Sequence, residues 1–97
     1  MQLKEQIKKA KKKQSKKTSL PRFYLIERRT ELGYSVEMAS RECEISPYYY
    51  FQLENGMRGK NLTVRLLLRL IEALEMDPLD FLTSEADYID YLNEINK

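Results

Sequence analysis

The sequence predicts an all-α chain, on three observations. Apolar residues recur at steps of three and four through most of residues 20–97, the period of one helix face. Helix starts and stops are punctuated: Ser35, Ser46-Pro47, Asp77-Pro78 and Ser84 open segments, and Gly33 and Asn55-Gly56 close them. No segment alternates apolar and polar residues as a half-buried strand does, and no internal repeat is visible.

Taken in order, residues 1–19 are rich in Lys and Gln and nearly free of apolar side chains. Leu3, Ile7 and Ala10 stand at helical spacing, but so thin a stripe cannot fold by itself. Two readings stay open for this segment: a solvated tail, or a basic arm that lies along a polyanion. Leu20-Pro21 starts the compact part. Phe23, Leu25, Ile26, Arg29 and Leu32 predict a first helix, ended by Gly33 as a left-handed C′ residue. Ser35 caps a second, with Val36, Ala39, Ser40 and Cys43 on one face. Ser46 caps a third, and Pro47 takes its first position, where a missing N–H costs nothing. That helix runs to about Glu54. A polar loop at 57–61 leads to a Leu-rich fourth helix, expected from about Leu62 to Glu75. Asp77-Pro78 opens a fifth, expected to stop at Leu82. Ser84-Glu85-Ala86-Asp87 fits the capping-box pattern and opens a last helix ending near Ile95. The expected division is therefore a basic head (1–19), a helical domain (20–83) and a C-terminal helix (84–97).

Composition narrows the function. The chain has 97 residues, 42% of them apolar and 33% charged, enough for one soluble domain with a modest core. No apolar run approaches the length of a membrane span. Residues 1–20 hold no apolar export segment, and the single Cys43 cannot pair within the chain, so a reducing cytoplasm is expected. The absence of His removes the commonest metal ligand and general base. No nucleophile–base pair and no phosphate loop is visible, so neither an enzyme, a metal nor a cofactor is expected. Charge is lopsided: residues 1–22 carry nine Lys and Arg against one Glu, a net +8. Residues 23–69 are close to neutral at +1, and residues 70–97 carry a net −7. A basic head and an acidic tail suit a polyanion at one end only.

Two short helices joined by a tight turn, the second opened by Ser-Pro, have the spacing of a helix-turn-helix. Small residues are needed where the helices cross, at Ala39 and Ser40, apolar ones on the inner face of the second helix, at Tyr50 and Leu53, and a β-branched one at the end of the turn, Ile45. The stretch YSVEMASRECEISPYYYFQLENG, residues 34–56, resembles lambda-repressor and Cro-type regulators of bacteria, phages and plasmids. It aligns without a gap, and QLENG has the usual ending of that family's recognition helix. The likeness extends over residues 24–82, with LIEALEMDPLDFL as the last two helices of a five-helix domain. Ser40 replaces the family's usual alanine, and Glu44 replaces the usual glycine of the turn. A family-like turn would force Glu44 left-handed, at roughly 1 kcal/mol. The loop after Asn55-Gly56 is also slightly longer than the family norm.

The resemblance implies a five-helix, lambda-repressor-like domain that binds double-stranded DNA. It implies that backbone N–H groups at Ser46 meet a phosphate. Pro47, Tyr48 and Gln52 would face base edges, with Phe51 beside them. Asn55, Arg58 and Lys60 would contact the duplex backbone, and Arg29 and Glu54 would form a partly buried ion pair. The residues themselves add further expectations. At about 100° per residue, only some rings of the 48–51 YYYF run can face inward: Tyr50 into the core, Tyr49 on its flank, Tyr48 and Phe51 outward. Gln52 suits bidentate readout of adenine. Cys43 reads as a small core hydrophobe. Lys11, Lys12, Lys13, Lys16 and Lys17 are either phosphate contacts or a solubilising face. Tyr88, Leu92 and Ile95 recur at i, i+4, i+7, either covering the domain's own core or joining two copies. The expected function is a sequence-specific transcriptional repressor of a bacterial operon or mobile element. The alternative is a protein-interaction module on the same scaffold, partnered by another regulator, a toxin or a DNA-transfer complex.

Overall fold

The computed structural model describes residues 20–59 and 62–96. Its element order is α1 (Phe23–Glu31), α2 (Val36–Cys43), α3 (Pro47–Glu54), α4 (Val64–Ala73) and α5 (Pro78–Ile95), with no strand among the described residues. Helix α2 packs on both α3 and α4, and α1 packs on α3. Leu25, Ala39, Cys43, Tyr50, Leu53, Leu66, Leu70, Ile71, Ala73, Leu74 and Phe81 form one buried core, contributed by all five helices and the end of α4.

Local chemistry explains most boundaries. Ser35 accepts from the Met38 N–H, Ser46 from the Tyr49 N–H and Thr63 from the Leu66 N–H. Each side-chain cap satisfies an N–H that the helix cannot. Thr63 sets the start of α4 two residues later than the apolar pattern alone places it. At the other end of α4, Arg28 donates from Nε to the Leu74 carbonyl and from Nη2 to the Glu75 carbonyl, both at 2.9 Å. A cation thus sits where the helix macrodipole is negative. Asp77 caps α5 through the N–H groups of Leu79 and Asp80.

The expected stop at Leu82 and restart at Ser84 is corrected: α5 is one unbroken helix of 18 residues. Neither Gly nor Pro follows Pro78 within it to end it. Thr83 and Ser84 are poor helix formers by only about half a kcal/mol each. Phe81, Glu85, Tyr88, Leu92 and Ile95 then fall on one continuous face. Glu85, placed by the capping-box reading in the first turn of a separate helix, points into the protein and is 6% exposed.

The turn between α2 and α3 passes through Glu44 at φ 60°, ψ 39°, a left-handed conformation. Its exposed carboxylate gains only a loose approach to Arg69, at 3.9 Å. Glu44→Gly should therefore stabilise the fold by about 0.5–1 kcal/mol, the relief of strain exceeding the added freedom of the unfolded chain. Urea unfolding checks this, and a loss of stability would mean that the turn is unstrained.

Candidate nucleic-acid interface

The α2–turn–α3 unit is held by very small contacts at its crossing. Ala39 and Ser40 are buried, and the Ser40 hydroxyl donates to the Glu37 carbonyl at 2.8 Å, so no polar atom is stranded there. Cys43 fills the same interior, and burial, followed by the charge of Glu42, pushes its thiol up to about 11. Such a thiol stays protonated and acts as packing.

Helix α3 divides its aromatic run between two environments. Tyr50 is fully buried and Tyr49 half-buried. Burial, then the charge of Glu54, raises the Tyr50 hydroxyl above the ordinary phenol range. Tyr48 and Phe51 stand outward, 65% and 43% exposed, with rings stacked at 6.4 Å and 14°. Two apolar rings left in water at the start of a capped helix form a surface suited to stacking and methyl contact.

Beside them, Ser46, Tyr48, Tyr49, Gln52 and Arg58 line an open concavity of about 320 Å3. Gln52 is half-buried in that wall, and its own backbone carbonyl accepts from the N–H of Met57 at 2.8 Å and of Arg58 at 3.3 Å. The Arg58 guanidinium lies 5.7 Å over the Tyr49 ring, which keeps a cation beside Gln52. Pro47 is exposed at the first position of α3. The Ser46 hydroxyl is engaged by the Tyr49 N–H at 3.1 Å. Asn55 donates from its side-chain amide to the Phe51 carbonyl at 2.9 Å, closing the helix end. Lys11, Lys12, Lys13, Lys16, Lys17 and Lys60 lie outside the described residues.

Two ion pairs anchor the site from behind. Arg29 in α1 grips Glu54 at the end of α3, Nε to Oε2 at 2.5 Å and Nη2 to Oε1 at 3.2 Å. Its third donor reaches the Tyr34 carbonyl at 2.9 Å. The hydrogen bond to Glu54 raises the Arg29 guanidinium above its ordinary range despite partial burial. The second pair escaped sequence reasoning: Arg22, ahead of α1, meets Glu85 of α5 at 2.9 Å with side chains 1% and 7% exposed. Burial opposes the Arg22 charge, but the hydrogen bond and charge of Glu85 outweigh it and raise its pKa. The Tyr24 hydroxyl also donates to Glu85. Of the charges counted in the basic head, Arg22 is thus spent inside the fold. The signal in the sequence was an acidic residue one turn after Phe81 on the apolar face of α5.

The same region explains Gly56, at φ +72°. A Cβ there would stand 1.9 Å from the Leu20 carbonyl oxygen and 2.7 Å from the Tyr88 hydroxyl. Only a residue without Cβ lets the chain pass. Tyr88 itself is employed within the chain, its hydroxyl donating to the Leu20 carbonyl at 2.7 Å and its ring 4.6 Å from the Arg22 guanidinium. Leu92 and Ile95, on the same face of α5, are half-buried.

An all-α domain with a capped, outward-facing helix set across a second short helix defines a helix-turn-helix protein. The helix-turn-helix family model matches residues 25–81, and the chain belongs to that lambda-repressor/Cro-type family of DNA-binding regulators. Among solved structures it is similar to the clp gene regulator ClgR from C. glutamicum. The likeness has a TM-score of 0.56 and 25% identity, over 65% of this chain and 79% of that one. No curated protein matches it in sequence. Among the described residues no helix is long and apolar enough to cross a membrane, and no cluster of His, Cys, Asp and Glu could hold a metal ion.

Proposed function

We propose that the protein is a sequence-specific repressor that reads duplex DNA in the major groove with α3. The observation that carries this reading is the outward face of α3, where Tyr48, Gln52 and Arg58 line one concavity and Phe51 stacks beside Tyr48. Gln52 reads a base edge, Tyr48 and Phe51 make apolar contact with neighbouring bases or sugars, and Arg58 with Lys60 holds the backbone. Backbone N–H groups at Ser46, at the helix start, meet a phosphate, and Pro47 faces the base edges beside Tyr48. Asn55, whose amide closes the helix end, lies at the backbone side of the same contact. The basic head adds phosphate contacts outside the domain. Two copies, joined through Leu92 and Ile95 of α5, read two half-sites one turn of DNA apart. Repression follows from occlusion: a promoter so covered is closed to polymerase.

A second reading, a module that binds a protein partner, draws on Phe23 and Tyr91. These are 67% and 52% exposed beside an apolar groove that also involves Leu20, Pro21 and Tyr88. Selection of bound duplexes from a random pool separates the two. A two-fold symmetric motif is expected, and Gln52→Ala should relax one base pair of it by about 1–3 kcal/mol while circular dichroism is unchanged. Failure to enrich any motif favours the protein partner. An enriched motif indifferent to Gln52→Ala moves base reading to another residue.

A further inference from the structure

We infer that Arg22 and Glu85 are positioning residues for DNA binding: their buried pair fixes the segment after α3 and thereby the phosphate contact of Arg58. The inference rests on the DNA-binding reading above. Both residues lie outside the family-matched stretch 25–81, so the helix-turn-helix domain alone does not contain this device.

A guanidinium has five N–H donors in a rigid fork, and Arg22 uses them on two targets. One edge, Nε and Nη2, meets the two carboxylate oxygens of Glu85, each at 2.9 Å. The rest goes to backbone: Nη1 donates to the carbonyls of Leu53 at 2.8 Å and Arg58 at 3.1 Å, and Nη2 to that of Gly59. The Arg22 N–H adds a bond to the Glu54 carbonyl at 2.6 Å. One buried side chain thus ties the last turn of α3 to the loop that follows it. The carbonyl of Arg58 is itself one of the tied atoms, so the root of the Arg58 side chain is fixed relative to Gln52. Gly59 turns there at φ +79°, where a Cβ would meet Leu53 Cδ2 at 2.5 Å. Glu85 in turn is held by the Tyr24 hydroxyl, so the fork keeps one orientation.

Stability alone does not account for such a pair. A buried ion pair is commonly replaced by well-packed apolar residues of similar volume without loss of stability. What an apolar pair cannot do is donate to the carbonyls of Leu53 in α3 and of Arg58 and Gly59 in the loop. A contact that depends on a loop loosens when its supporting bonds are removed, even while the fold survives.

The test uses the full-length chain, the duplex it enriches from a random pool, and a mixed-sequence duplex, each titrated with salt. Arg22→Met with Glu85→Leu should stay folded, melting somewhat below wild type because the Leu53 carbonyl and the Tyr24 hydroxyl lose their partners. It should bind the enriched duplex about fivefold more weakly at physiological salt, with the slope of log K against log salt shallower by about 0.9. The motif itself should not change. Partial unfolding lowers the active fraction but leaves that slope alone, so the slope separates positioning from a merely structural role. Arg58→Ala should remove the same increment in wild type and nothing further in the paired variant. If the paired variant does not fold, Arg22→Lys keeps the charge beside Glu85 but lacks the fork that reaches the carbonyls of Arg58 and Gly59, and gives the same reading. A folded variant with unchanged affinity and slope overturns the inference, as does an undiminished effect of Arg58→Ala in its background. A wild type that binds no duplex strikes the DNA-binding reading itself.

Discussion

Arg29→Met should destabilise the fold by about 3–5 kcal/mol, more than removal of its partner Glu54. The asymmetry follows from burial: the side chain of Glu54 is 3% exposed and that of Arg29 17%. Without Arg29, a carboxylate stays deep in the protein with its charge unmatched. Without Glu54, the guanidinium keeps the Tyr34 carbonyl and a path to water along its long stem. Stability for a small domain is about 5–15 kcal/mol in total, so the loss should be plain in urea unfolding. A double-mutant cycle with Glu54→Gln should give a coupling of about 1–3 kcal/mol. If Arg29→Met costs less than 1 kcal/mol, the pair is not what ties α1 to α3, and the tie lies in the packing of Leu25 and Tyr50.

Most of the fold was legible because its signals are local. Ser35, Ser46-Pro47 and Asp77-Pro78 each place a capping oxygen at a helix start, and the structure puts those helices where the caps are. Glu44 is left-handed, the conformation that a family-like turn demands of it. The failure at Ser84 has a physical cause. Ser-x-x-Asp is a sufficient cap only where the chain is otherwise free to leave the helix, and here Glu85 is drawn inward by Arg22 and Tyr24. Those partners lie more than sixty residues away in sequence, beyond any local pattern.

The candidate site shows the same division. Which rings of residues 48–51 turn inward follows from helical phase and was legible. That Arg58 stands over Tyr49, and that Arg22 lends its donors to the loop behind Arg58, depends on tertiary packing. A lone arginine beside a proline reads as one more charge of a basic head. Only its burial at 1% reveals that its charge is spent inside the domain.

Deleting residues 1–18 should flatten the salt dependence of DNA binding by about 3–4 units of slope, if about four of the lysines meet phosphates. The deletion removes eight Lys and Glu5, a net +7. It spares Leu20 and Arg22, whose contacts with Gly56, Tyr88 and Glu85 belong to the folded domain, so melting should hardly move. Lysine ammonium groups on long flexible stems suit phosphates better than base edges. Each such contact releases condensed counterions, and affinity should fall by about a hundred- to a thousandfold at physiological salt. The enriched duplex and a mixed-sequence duplex should weaken nearly alike, leaving the preferred motif intact. Salt titrations of both chains on both duplexes measure this directly. An unchanged slope makes the head a bystander of binding. A changed motif would instead mean that it reads a groove, and the specificity assigned to α3 would then be shared with residues 1–18.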